Sequence, residues 1–188
     1  DTLVTAGAGL ALGGFLGLAV DILFGLVRPL DRLMEVTVEA IRPVPSIAVL
    51  PIAMLVFGFG YGMEIAIVAF SCLWPIMIMT RSAMAGIEPR LLEVSRALRL
   101  PAWQRVLKIV LPAALPRIMV AFRLAASIAL VVAVTVEVAA NPLGLGYGIL
   151  VAQQGLQPDL MLAYLLWIGI VGYALNALLS LAQRRLFG

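Results

Sequence analysis

Long apolar segments alternate with polar connections along this chain of 188 residues. The segments cover approximately residues 3–27, 45–58, 63–86, 116–139 and 160–182. An α-helix needs about 20 apolar residues to cross a bilayer, and the segment at 45–58, which Pro51 is expected to bend, is the shortest. With 12% charged residues and a mean hydropathy of +1.11, the composition is outside the soluble range. The sequence predicts an all-α membrane protein, a single polytopic bundle over 1–188 with about five transmembrane helices.

The positive charges predict the orientation of this bundle. All thirteen Lys and Arg residues fall on or near one side of the segments, and six of them lie within residues 88–117. The opposite connections, GFGYGME and NPLGLGYGILVAQQGLQPD, contain none. The positive-inside rule makes the basic side cytoplasmic, with residue 188 inside and residue 1 outside. Because the first residues lack the charged region and cleavage site of a signal peptide, we expect at least one further span upstream.

Small residues and prolines suggest how the segments pack. Gly9, Gly13 and Gly17 repeat every four residues, a stripe that allows close helix contact, either within the chain or with a second subunit. Pro75 predicts a kink of fixed shape in the third segment. Cys72 lies in an apolar run and is expected to be a packed thiol.

Two glycine-rich stretches lie in the connections that carry no cations. They are GFGYG at 58–62 and GLGYG at 144–148. Neither has the Lys-Ser/Thr ending of a phosphate-binding loop. Both are predicted to be turns at the membrane surface.

Two charged residues within the predicted spans are candidates for function. Glu137 lies in the fourth segment, where an ionisable group usually faces a cavity or a partner. It either lines or gates a passage, or it belongs to a solvated helix end or a structural hydrogen bond. Arg123 either attracts an anion to a path or extends to the interface, and its position near the basic side favours the interface.

Several function classes are excluded by composition. The chain has no His and one Cys, so it cannot build a disulfide framework, a Cys/His zinc site or a Ser-His-Asp triad by itself. Lys108, its one lysine, lies outside the predicted spans, which excludes an intramembrane Ser–Lys pair. The cations do not form a basic face with stacking aromatic residues, as a nucleic-acid interface would. We expect no metal, no cofactor, no enzymatic activity and no nucleic-acid partner.

The basic stretch in the middle of the chain reads EPRLLEVSRALRLPAWQRVLKIVLPAALP. This pattern predicts a short amphipathic helix over residues 89–98, and Pro101 can start a second helix. Pro112 and Pro116 are expected to break the chain before the next span. The sequence predicts a helical hairpin on the cytoplasmic side, which either presents a surface to another protein or rests on anionic lipid.

This hairpin resembles the EAA motif of permease subunits from binding-protein-dependent ABC importers, E-A-A-x3-G-x9-I-x-L-P. The matching positions are Glu93, Ile109, Leu111 and Pro112. Val94 and Ser95 replace the two alanines, and Arg99 stands where the family has Gly. Together with RPVPSIAVLPIAMLVFGFGYG, LPAALP and GLGYGIL, the motif makes the chain similar to permeases of the nitrate, sulfonate and taurine group.

The resemblance implies the type I ABC importer permease fold in a bacterial inner membrane. Two permease subunits, in a homodimer, would enclose a path for a small anion such as a sulfonate, nitrate or an organic acid. Two cytoplasmic ATP-binding subunits would hydrolyse ATP, and an extracytoplasmic substrate-binding protein would deliver the substrate. The alternative is a channel or secondary transporter that has no ATPase partner.

The resemblance also assigns residues 88–116 as the coupling loop that contacts the ATPase. Within it, Glu93 and Arg96 are expected to make polar contacts. The other coupling residues are Leu92, Ala97, Leu98, Arg99 and Trp103.

Overall fold

The computed structural model describes residues 1–26 and 36–187, and every regular element in these two ranges is helical. Arg28 and Arg32, which contribute to the predicted charge asymmetry, lie outside the described residues. The helices are α1 (Thr2–Leu26), α2 (residues 36–41), α3 (Leu50–Phe57), α4 (Tyr61–Ala85), α5 (Pro89–Ala97), α6 (Ala102–Arg105), α7 (Leu111–Ala139), α8 (Gly144–Gln154) and α9 (Pro158–Phe187). A 3-10 turn, Ser46–Val49, leads into α3, and a π-helical turn, Val106–Val110, joins α6 to α7.

Four helices of the described part are long and apolar enough to cross a membrane. They are Thr2–Phe24, Tyr61–Ala85, Ala102–Ala139 and Pro158–Arg185. They coincide with four of the five predicted spans. The remaining predicted segment, 45–58, is also helical and apolar, but Ser46–Phe57 is a shorter helix. At about 1.5 Å per residue it falls well below the ~30 Å thickness of the hydrocarbon core.

The core of the bundle lies where α1, α4 and α7 meet. The buried face of α7 there consists of small residues, including Ala125, Ala129 and Ala133. Small side chains allow two helices to approach α7 closely. Cys72 is fully buried in this cluster, and its Sγ donates to the Ala125 carbonyl at 3.5 Å, as expected for a packed thiol.

The glycine stripe of α1 packs against α4 within the same chain. Gly9 faces the side chain of Val68, and Gly13 lies directly on the backbone of Ala69. A Cβ added at Gly17 would lie 2.9 Å from the Leu73 carbonyl oxygen. The prediction of a close helix contact within the chain is therefore confirmed.

The prediction that Pro112 and Pro116 break the chain before the fourth span is wrong. The helix continues from Ala102 to Ala139, with Pro112 in the first turn of α7 and Pro116 inside it. Proline has no backbone N–H to donate to an earlier carbonyl. Just before Pro112 the π-helical turn changes the backbone hydrogen-bond pattern, because the Leu111 N–H bonds to the Val106 carbonyl, five residues back. The second hairpin helix and the span are thus one continuous element.

The two glycine-rich stretches do not share one conformation. Residues 58–60 form a turn, as predicted, in which Gly58 and Gly60 have φ of 70° and 116°. The rest of the predicted turn, Tyr61 and Gly62, is wrong, because these residues begin α4. The stretch GLGYG was expected to be a turn, and this is wrong, because it forms the first half of α8. Its glycines allow α8 to lie against its neighbours: a Cβ at Gly146 would overlap the Val134 carbonyl of α7, and one at Gly148 would lie 2.5 Å from the Tyr164 ring of α9.

The bundle has two ends. We call the end with residues 58–62 and 140–157 the outer end, and the end with α5 and α6 the inner end, after the predicted orientation.

Along α9 the apolar side chains stay exposed, for example Leu166 at 70% and Tyr173 at 78%. Such an apolar surface fits lipid or a second membrane subunit.

Candidate functional site

The hairpin at the inner end turns at Arg99. The N–H of Leu98 bonds to the Val94 carbonyl at 3.0 Å, and the N–H of Leu100 bonds to the Ser95 carbonyl at 3.1 Å. Between them Arg99 has φ of 49°, in the left-handed region. This is the Schellman arrangement that ends many helices, and it normally carries Gly at the left-handed position. Arg99 therefore adopts the backbone conformation that the motif's glycine would supply, and Pro101 follows as the residue that cannot continue the helix.

Replacing Arg99 with Gly should stabilise this turn. A non-glycine residue in the left-handed region costs about 1 kcal/mol, which Gly avoids. We expect Arg99→Gly to slow amide hydrogen exchange at residues 98–100 about fivefold, measured on the purified protein in lipid nanodiscs.

Arg90→Gly is the matched control, because it makes the same change within α5, where the helix is right-handed. There Gly should destabilise the helix by about 1 kcal/mol and accelerate exchange in α5. If both variants accelerated exchange, Arg99 would not carry the strain that its φ indicates.

An apolar surface of the hairpin is exposed in this chain. Leu98 is 64% exposed, Trp103 54% and Val94 51%. Glu93, Ala97 and Arg99 are exposed beside them, whereas Ser95 is buried. Leu92 and Arg96 lie in α5, but their side chains are outside the described part. A surface in contact with water rarely leaves several large apolar side chains this exposed unless a partner covers them.

Arg117 connects the base of the hairpin to the bundle. Its Nη1 donates to the Gly86 carbonyl at 3.2 Å, so the first turns of α7 hold the C-terminal end of α4. The hairpin begins and ends at these two helices, and the bond therefore fixes its two attachment points relative to each other. In the sequence, Arg117 stands out only as one of the cations of residues 88–117.

An ion pair in the inner half of the bundle was missed. Asp21 of α1 is 1% exposed, and its Oδ1 accepts from Arg81 Nε of α4 at 3.2 Å. The Arg81 guanidinium also lies over the Phe24 ring, 6.0 Å from its centroid. The signal for it in the sequence is that Asp21, like Glu137, is an acidic residue within a predicted span.

Glu137 belongs to a buried polar group at the outer end, which we call the outer cluster: Thr2, Thr5, Glu64, Glu137 and Asn141. Each of these residues is at most 3% exposed. The expectation of a solvated helix end is therefore wrong for Glu137, and the structural hydrogen bond is present, because its Oε2 accepts from the Gly146 N–H at 2.8 Å. A role in lining or gating a passage stays a proposal.

Glu64, the second carboxylate of the outer cluster, was also missed. Thr5 Oγ1 bonds to its Oε1, and Asn141 Nδ2 donates to its Oε2 at 2.5 Å. Among the described residues, no Lys or Arg pairs with Glu64 or Glu137. Hydroxyl, amide and backbone donors thus replace cations as partners of two buried carboxyl groups.

The outer cluster caps α8 from other helices. Leu143, the residue just before α8, makes no side-chain hydrogen bond to the first turn of that helix. Instead, the Leu145 N–H donates to Thr2 Oγ1 of α1 at 2.9 Å, and the Gly146 N–H donates to Glu137 of α7. Free N–H groups of a first turn need acceptors, and an acidic side chain there also complements the helix dipole.

No group of three or more His, Cys, Asp or Glu residues able to hold a metal ion occurs in the described ranges. The candidate sites of this part of the chain are the exposed apolar surface of the hairpin and the buried polar cluster at the outer end.

Comparison with known proteins agrees with this architecture. SsuC of Bacillus subtilis (strain 168), named as a transport permease for aliphatic sulfonates, is 33% identical over 181 residues, which are 96% of this chain and 66% of SsuC. The bicarbonate transport system permease protein CmpB of Synechococcus elongatus is 30% identical and matches 97% of this chain and 66% of its own length. This chain thus spans about two thirds of the length of these relatives.

A solved structure shares the fold. A chain of the MetNI methionine ABC transporter in an inward-facing conformation superimposes with a TM-score of 0.87 at 23% identity, covering 100% of this chain and 93% of its own. Residues 9–187 match the family model described as "Binding-protein-dependent transport system inner membrane component". The chain belongs to this family of transport-system membrane components.

Proposed function

We propose that this chain is the membrane-spanning permease subunit of an ATP-driven importer. The observation that carries the proposal is the hairpin: an EAA-like sequence whose turn keeps the backbone of the motif's glycine and whose apolar side chains are exposed. In a member of this family, such a surface is suited to a cytoplasmic ATP-binding subunit.

The assembly follows from the same reasoning. A second copy of the permease would complete the path, two ATP-binding subunits would hydrolyse ATP, and an extracytoplasmic binding protein would deliver the substrate. Residues 88–116 are the coupling loop, and the C-terminus lies in the cytoplasm. The permease itself performs no chemistry in this proposal.

Within the coupling loop, the proposed residues divide into two roles. Leu98 and Trp103, both exposed, offer apolar area that an ATPase groove would bury. Leu92 and Ala97 are proposed to add to this packing on the strength of the family resemblance. Glu93, Arg96 and Arg99 would orient the joint by charge, because rim charges affect register and association more than they add affinity.

The substrate class is proposed from the relatives. SsuC is named for aliphatic sulfonates and CmpB for bicarbonate, both small anions. We propose a small anion for this chain as well, such as a sulfonate, nitrate or an organic acid. Arg123, half-buried in α7, is proposed to extend to the inner interface and not to read the substrate.

Co-purification with the candidate ATP-binding subunit tests the proposal. We expect the wild-type permease to form a stable complex, and Glu93→Lys to weaken it about tenfold or more, since like charges would meet at the joint. Glu93→Ala should have a smaller effect. Asp159→Lys is the matched control, because it reverses an exposed acidic residue at the opposite end of the bundle.

The outcomes separate the alternatives. If the ATPase does not associate with any variant, a channel or secondary transporter becomes the better interpretation. If it associates equally with all of them, the importer stands and the contact depends on the apolar side chains. Leu98→Asp would then be the variant that abolishes the complex.

A further inference from the structure

The position of α8 depends on residues that lie far from it in the sequence. Its two capped N–H groups use Thr2 of α1 and Glu137 of α7 as acceptors. The connection just before α8 is held as well, because Asn141 donates to Glu64 of α4. Three separate helices of the core therefore determine where α8 begins.

Glycine makes this arrangement possible. Gly144 has φ of 90°, and a Cβ added there would overlap the Glu137 carboxylate. At Gly146 an added Cβ would lie 2.8 Å from Glu137 Cβ. The carboxylate thus lies against the bare backbone at the start of α8, where the N–H groups and the helix dipole favour a negative charge.

These bonds are sensitive to small movements. They measure 2.8 Å and 2.9 Å, and a hydrogen bond is lost when the donor and acceptor separate beyond about 3.5 Å. A relative shift of α1 and α7 by about 1 Å at the outer end would therefore break at least one of the two bonds and leave an N–H group in the first turn of α8 without its acceptor. Because Leu143 supplies no side-chain cap, the local sequence offers no replacement.

We propose that Thr2, Glu64 and Glu137 are positioning residues that form an outer latch. The latch holds α8 against the bundle while the outer ends of α1, α4 and α7 are together, and it releases α8 when they separate. Resting on the proposed importer function, this links the helical state of α8 to opening of the outer end during transport.

Amide hydrogen exchange of the full-length protein in nanodiscs tests the latch directly. Thr2→Val and Glu137→Ala each remove one acceptor, and we expect exchange at residues 144–147 to accelerate about fivefold to tenfold in each. Glu137→Gln keeps an acceptor oxygen and should remain closer to wild type. Asp159→Asn removes an exposed carboxylate at the same end and should change nothing in α8.

A second measurement on the complex with its ATPase distinguishes positioning from simple structural support. Substrate transported per ATP hydrolysed should fall at least about threefold in Glu137→Ala and Thr2→Val, with recovery in Glu137→Gln, while the amount of folded complex stays unchanged. Unchanged exchange in α8 would overturn the latch. Accelerated exchange with an unchanged transport ratio would overturn its role in transport. If wild type neither binds the ATPase nor transports, the proposed function fails, whereas the exchange experiment still decides whether the latch exists.

Discussion

Gly13→Ala should destabilise the bundle by about 3 kcal/mol, near the upper end for an overpacked site. A Cβ at Gly13 would overlap the Ala69 carbonyl oxygen and lie 2.9 Å from Ala69 Cα. These atoms are backbone, which cannot rotate away as a side chain can, so α1 and α4 would have to separate. Thermal unfolding of the detergent-solubilised protein, followed by light scattering and tryptophan fluorescence, measures the loss.

Gly7→Ala is the matched control for this prediction. It makes the same change on the same helix, but nothing lies within 4 Å of the added Cβ. Since Ala favours helix by up to about 1 kcal/mol over Gly, this variant should be neutral or slightly more stable. Equal losses in both variants would contradict the close contact of α1 with α4.

Gly144→Ala should destabilise the outer end by about 3 kcal/mol, for two reasons that act together. Alanine would have to adopt a φ of 90°, and its Cβ would displace the Glu137 carboxylate. Moving that carboxylate breaks its bond to the Gly146 N–H. We expect faster hydrogen exchange throughout Gly144–Gln154 and a lower unfolding temperature.

Gly60→Ala separates the two reasons. Gly60 has φ of 116°, but no atom lies within 4 Å of an added Cβ. Only the backbone strain remains there, on the order of 1 to 3 kcal/mol. If Gly144→Ala were no worse than Gly60→Ala, the contact between Glu137 and the start of α8 would be wrong.

Much of the fold could be predicted because its signals are local. Span length, hydropathy and the glycine period each depend on neighbouring residues, and they correctly indicated four membrane helices and the contact made by Gly13. The hairpin motif that begins at Glu93 indicated the family together with similar stretches along the rest of the chain. Length is such a local signal too: the predicted segment 45–58 is the shortest in the sequence, and Ser46–Phe57 is a shorter helix in the structure.

The errors arose where one local rule met a compensating partner. Proline normally ends a helix, yet at Pro112 the preceding π-helical turn lets the chain continue. Glycine normally favours turns, yet Gly146 and Gly148 lie in a helix because close neighbours require the absence of a Cβ. Neither compensation can be identified from composition or spacing.

By itself the sequence determined that the chain is a multi-pass helical membrane protein with a basic hairpin, because hydrophobic length and charge act independently of what lies nearby. Only the tertiary structure decided the partners of the buried acidic residues. Asp21 meets Arg81 across two helices, whereas Glu64 meets Asn141 and Thr5, and Glu137 caps a helix that begins seven residues later. A buried carboxyl group must find a donor, but which donor it finds depends on how the helices pack, and that packing is set by small residues spread over the whole chain.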